Sequence, residues 1–149
     1  MARIQIKNQQ KAMPADLRRI RKTVTLILAA LALPKAEVSI LLLDDPGITV
    51  LNEQYLKKTG PTDVISFPMY AGAFPHIQPQ LLGDIAISVE TAERDAGERG
   101  ISFDEEMADL LIHGMLHLLG HDHETSAADS RRMRAQQRKI LDQVLEQVA

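Results

Sequence analysis

Four of the chain's five histidines fall within one stretch, His113-Gly114-Met115-Leu116-His117-Leu118-Leu119-Gly120-His121-Asp122-His123. His113 and His117 are four apart, so on a helix both imidazoles project from one face, one turn from each other. That is how a helix offers two nitrogens to one metal ion. Met115, Leu116, Leu118 and Leu119 are apolar, which sets such a helix beside a core. Gly120 then stops it at positive φ, as glycine does at a helix C-terminus, and the chain can turn back with a third ligand. His121 and His123 are the candidates. His123 is preferred, because His121 would align with the first two only if the helix ran on. Asp122 reads either as a support for the ligands or as an ordinary turn residue.

Three histidines leave a metal position open, the pattern of a catalytic site, whereas a structural zinc is usually closed by four protein ligands. Zinc, one ion per chain, is the first choice for imidazole ligands, and nickel, cobalt or copper would also fit. A zinc ion so held lowers the pKa of its water toward about 7 and polarises a substrate oxygen. Either effect promotes hydrolysis of a phosphodiester or an acyl bond, and the histidines alone do not say which. Gly114 stands where the HExxH metalloproteases place their general-base glutamate, so that protease mechanism is excluded.

A second polar group lies at Thr62-Asp63-Val64-Ile65-Ser66-Phe67-Pro68, with Gly83-Asp84 further on. Asp63, Ser66 and Asp84 sit at strand beginnings or among apolar residues. They either line the wall of the site or act as turn residues. Lys57 and Lys58 precede this group and are candidates for phosphate contacts, as are Arg131, Arg134 and Arg138, a basic stripe on the last helix.

The elements that must position these residues follow from periodicity. Arg3 to Asn8 alternates as a short strand. Pro14 suits the first turn of a helix whose Leu17, Ile20, Val24, Ile27, Leu28 and Leu31 recur at helical spacing, and Pro34 closes it. Glu37 to Leu43 is a compact apolar run, a buried strand. Asp44-Asp45-Pro46 caps a helix with Ile48, Leu51 and Tyr55 on its apolar face. Val64 to Met69 is a strand, with Pro68 marking an edge or an end. Tyr70 to Gln80 is a loop carrying His76, a surface residue. Gly83 to Val89 is a further strand, and Thr91 to Glu98 a short polar helix stopped by Gly100. Ser102 and Glu105 form a capping box for the central helix, which runs to Leu119, with Asp104, Glu105 and Glu106 at the positive end of its dipole. Asp109, one turn before His113 on the same face, reads either as a support for the ligands or, by preference, as a solvated acid. The last helix spans about Ala127 to Gln147, packed by Met133, Ile140, Leu141, Val144 and Val148. About four strands interleaved with helices predict an α+β fold, one small mixed sheet covered by helices with a central metal-binding helix.

At 149 residues the chain suits one domain, 1–149. The absence of cysteine excludes disulfides and Cys-ligated metal sites, and fits a reducing cytoplasm. A net charge of −3 provides no global field to recruit nucleic acid, so any RNA contact must come from local basic patches. The most apolar stretch, around Val24 to Leu33, is too short to span a membrane. It follows Arg18, Arg19, Arg21 and Lys22, which read as a solvated helix face.

The run HGMLHLLGHDH resembles the signature of the YbeY family of metal-dependent endoribonucleases, H-G-x-L-H-L-x-G-x-D-H. The resemblance extends from about Leu51 to Leu141 through Leu51-Asn52-x-x-Tyr55, Pro61 to Pro68 and Leu82-Gly83-Asp84-Ile85. It implies an α+β sheet with the metal helix packed against it and zinc held by His113, His117 and His123. It also implies a single-strand-specific endoribonuclease in a bacterial cytoplasm. Such an enzyme acts on ribosomal RNA, at the 3′ end of the small-subunit RNA, and in ribosome quality control with the small subunit as partner. The family commonly carries an arginine directly after the tyrosine of LNxxY; here that position is Leu56, and Lys57 or Lys58 would have to supply the charge. Two other functions compete on the residues alone: a hydrolase of peptide or amide bonds, and a non-catalytic ribosome-assembly factor ordered by its metal.

Overall fold

The computed structural model describes residues 2–69, 80–120 and 127–148. Four strands form one mixed sheet in the order β1 (Arg3–Asn8), β2 (Glu37–Leu43), β4 (Leu81–Ser88), β3 (Val64–Pro68). The first three are parallel and β3 runs antiparallel to β4. The α+β expectation holds. The compact apolar run of β2 is explained by its central place. Val38, Ile40 and Leu42 enter the main core, while Leu43 and the partly buried Leu41 pack on the opposite face, so both faces of the strand are covered. Pro68 ends β3 at the sheet edge, where its missing N–H costs no ladder bond.

The main core lies between one sheet face and helices α1 (Leu17–Ala30), α4 (Phe103–Leu118) and α5 (Ala127–Val148). A smaller cluster under α2 (Asp45–Tyr55) joins Ile48 to Leu43, Ile65 and Ala86 on the other face. Helix α3 (Val89–Arg99) follows β4 directly and packs against α4. Several details differ from the sequence reading. Pro14 lies ahead of α1, whose N-cap is Asp16, accepting from the Arg19 N–H at 3.1 Å. Val89 belongs to α3, because Ser88 ends the strand and caps the helix. Tyr55 is 62% exposed and meets Phe67 edge-on at 5.4 Å, so it completes no buried face of α2. Among the described residues no helix is long and apolar enough to cross a membrane.

Candidate metal centre

Helix α4 is begun by Ser102, whose hydroxyl accepts from the Glu105 N–H at 3.0 Å, one half of the expected capping box. It ends at Leu118, and Gly120 follows with φ of 92°, the conformation expected of the stop. Between these ends the helix lies directly on the sheet at Gly114. A Cβ built there would sit 2.9 Å from Cγ2 of Ile85. The Ser66 hydroxyl on β3 donates to the Gly114 carbonyl at 2.9 Å, fastening the helix to the sheet edge beside the histidines.

His113 and His117 are half-buried, and their Nε2 atoms approach to 3.0 Å. Two nitrogens bound to one zinc ion at about 2.0–2.1 Å and tetrahedral angles lie about 3.3 Å apart. The convergence of these two nitrogens therefore fits a shared ion. The rings meet edge-on with centroids 4.5 Å apart. His121, Asp122 and His123 lie outside the described residues, as does His76, and among the described residues no three candidate ligands converge.

The two histidines line a cleft of about 600 Å³, within the usual range of ligand sites of about 300–1,000 Å³. Its walls include Asn52, Leu56, Lys58, Thr62, Val64 and Ser66. Lys57 adopts φ of 58° just past the end of α2 and folds its ammonium back to the Gln54 carbonyl at 2.9 Å. Lys58 lines the cleft. Leu56, where relatives are expected to carry arginine, also lines it and is 43% exposed. Asn52 is buried and donates to the Gly60 carbonyl, while its Oδ1 has no partner among the described residues. That leaves a buried acceptor beside the cleft.

Other expected wall residues lie elsewhere. Asp84 lines a separate groove on the α2 face with Tyr55, Phe67 and Lys7. Ile85, its neighbour in β4, is the residue that faces the histidine helix, and side chains alternate along a strand. Asp63 is not among the described residues of the cleft. Its carboxylate accepts from the Val64 N–H at 2.7 Å, and its charge acts on Asp95 of α3. Burial first, then repulsion from Asp63 and Glu98, raises the Asp95 pKa. Arg131, Arg134 and Arg138 are exposed on α5 and outside the cleft, with Arg134 on the Ser130 hydroxyl and Arg138 paired with Asp142 at 3.3 Å.

Three buried or half-buried residues add to the surroundings of the histidine helix. Asp109 is not a solvated acid. It accepts from Gln137 of α5 at 2.8 Å and from Arg99 at 3.1 Å, with its side chain 17% exposed. Gln137, which nothing in the local pattern singled out, places Oε1 3.0 Å from Nδ1 of His113. Glu106, expected only to favour the positive end of the helix dipole, is buried. Burial raises its pKa, opposed by the Arg99 guanidinium at 2.9 Å.

The family description Endoribonuclease YbeY matches residues 5–145. The Endoribonuclease YbeY of Geobacter sulfurreducens is 46% identical over 140 residues, covering 93% of each chain. That of Aquifex aeolicus is 39% identical over 144 residues, covering 95% of this chain and 91% of its own. Among solved structures, the solution structure of TM1509 from Thermotoga maritima superposes with a TM-score of 0.67 at 25% identity, covering 99% of this chain and 91% of that one. With its own sheet, histidine helix and glycine stop arranged as described, the chain belongs to the YbeY family.

Proposed function

We propose that this chain is a metal-dependent endoribonuclease that hydrolyses phosphodiester bonds of single-stranded RNA in the maturation of ribosomal RNA. The carrying observation is the 3.0 Å convergence of the His113 and His117 Nε2 atoms in a cleft that also presents a lysine. Relatives covering over nine-tenths of the chain are named endoribonucleases, which supports the RNA-cleaving part of this reading. His113, His117 and, beyond Gly120, His123 would hold the ion, with zinc preferred for an all-imidazole set. When bound, the ion supplies a Lewis acid for a phosphoryl oxygen and acidifies water for attack.

The chain's own residues do the rest. Ser66 holds the helix against β3, so the two imidazoles keep their separation. Lys58 lines the cleft and would pair with a backbone phosphate. Arg131, Arg134 and Arg138 would extend the phosphate track outside the cleft. Single-stranded RNA fits this arrangement, because a net-acidic protein with a local basic wall binds a phosphate chain only where that wall faces it. The small ribosomal subunit, in a bacterial cytoplasm, is the corresponding partner.

The test is incubation of the zinc-loaded protein with single-stranded ribosomal RNA and with a peptide library, each with and without chelator. RNA should be cut only with metal, and peptides not at all. Metal analysis should show loss in His113→Ala, His117→Ala and His123→Ala, with retention in His121→Ala. Peptide cleavage, or RNA cleavage that survives chelation, would refute the reading. Loss of metal with His121→Ala but not His123→Ala would reverse the third ligand.

A further inference from the structure

The polar contacts of His113 lead away from the cleft through a chain of three side chains from three helices. His113 Nδ1 lies 3.0 Å from Oε1 of Gln137 on α5. The Gln137 amide nitrogen donates to Asp109 Oδ1 at 2.8 Å, one turn back on α4. Asp109 Oδ2 accepts from Arg99 at the end of α3 at 3.1 Å, and Arg99 also holds the buried Glu106 at 2.9 Å.

The direction of this chain is set chemically. An ionised carboxylate only accepts, so the end of the Gln137 amide facing Asp109 must be its NH₂ group. Its carbonyl oxygen therefore faces His113. An acceptor at that point requires a proton on Nδ1. In the neutral ring, which carries one ring proton, Nε2 is then left with its lone pair. Nε2 is the atom that converges with Nε2 of His117.

We propose that Gln137, oriented by Asp109, is a positioning residue that holds neutral His113 as the Nδ1–H tautomer and so presents the Nε2 lone pair to the metal. The inference rests on the reading of His113 as a ligand. Metal-bound histidines usually donate their remote N–H to a carboxylate, a carbonyl or water. Here an amide stands between imidazole and carboxylate, so Asp109 acts through orientation and its charge stays one side chain removed. Three helices must be docked before the tautomer is selected, which couples metal affinity to the packing of α5 on α4.

The experiment reads the tautomer directly. Ring ¹⁵N chemical shifts of His113 are measured in the chelator-treated protein at a pH where the ring is neutral, alongside zinc affinity by competition with a chromophoric chelator. The native protein should show the Nδ1–H form. Gln137→Leu, which keeps the shape and removes the acceptor, should lose that preference and bind zinc about 10- to 100-fold more weakly. Circular dichroism and thermal melting of the same metal-free variant separate this from misfolding. Asp109→Asn should relax the selection, because an amide offers either end to Gln137. Gln137→Glu alone sets two carboxylates face to face. Combined with Asp109→Asn it rebuilds the chain, the new amide at position 109 donating to a glutamate that still accepts from Nδ1–H, so the double variant should recover tautomer and affinity. A purely structural role for the pair would not produce that recovery in the ring shifts. An Nε2–H tautomer in the native protein, or native zinc affinity in a folded Gln137→Leu variant, would overturn the proposal. Full zinc retention in His113→Ala would instead overturn the ligand reading, whatever Gln137 does.

Discussion

Gly114→Ala tests whether the fit of the histidine helix on the sheet is what requires glycine between His113 and His117. The new Cβ would lie 2.9 Å from Cγ2, 3.2 Å from Cδ1 and 3.3 Å from Cγ1 of Ile85. Ile85 is fully buried in the interior strand β4 and has no open side to move toward. Relieving the contact moves the helix, and with it the carbonyl that Ser66 holds at 2.9 Å. Overpacking of this kind costs about 1–3 kcal/mol, and the gain in helix propensity from Gly to Ala returns about 1 kcal/mol. With three carbons in close approach the upper half of that range applies, giving a net loss of about 1–2 kcal/mol. Ile85→Ala alone should cost about 2–5 kcal/mol by opening a cavity, and it removes all three offending atoms. In that background Gly114→Ala should stabilise by about 1 kcal/mol, since propensity remains and the clash is gone. The sign of the effect reverses, a coupling of about 2–3 kcal/mol. Urea denaturation of the four proteins of the cycle measures it. Additive effects within about 0.5 kcal/mol would refute the steric account. Zinc affinity should fall in Gly114→Ala and recover in part in the double variant.

Lys58→Ala should lower the slope of log affinity for single-stranded RNA against log salt by about 0.7, while Lys57→Ala should leave it unchanged, because only Lys58 lines the cleft. Leu56→Arg adds a cation to the same wall and should steepen the slope by about 0.7 and raise cleavage; no change in either would show that the position lies off the RNA path. Asp45 ties α2 to α3 through Ser88 at 2.7 Å, Thr91 at 2.6 Å and Arg94 at 2.8 Å. Burial raises its pKa, but these three contacts outweigh it and hold the carboxyl below its ordinary 3.8. Its contribution is therefore full above the unfolded value and lost as pH falls through the lower folded one. Asp45→Asn should cost about 1–2 kcal/mol at neutral pH, and the gap from the native protein should close below about pH 4. A gap that persists at low pH would assign the loss to packing.

Much of the candidate site is local in origin and therefore legible in order along the chain. Two histidines at i and i+4 share a helix face whatever surrounds them, and a glycine that ends a helix does so through its own φ. The apolar run Glu37 to Leu43 announces a strand covered on both faces before any partner is known. What surrounds the histidines was not legible, because it depends on parity and docking. Asp84 and Ile85 are neighbours, yet only Ile85 meets the histidine helix, and the register of β4 with the side on which α4 lies decides which. Lys57 and Lys58 look equivalent in sequence, yet past the left-handed turn at Lys57 one ammonium folds back on Gln54 of α2 and the other residue lines the cleft. Gln137 is 24 residues from His113 and carries no motif, so only the packing of α5 on α4 joins them. The sequence by itself determined the histidine pair, the helix that bears it and the stop behind it, since these follow from bonds within a few residues. Tertiary structure alone decided which side chains face the histidines, because a facing residue is chosen by how whole elements dock, and no short-range pattern encodes that choice.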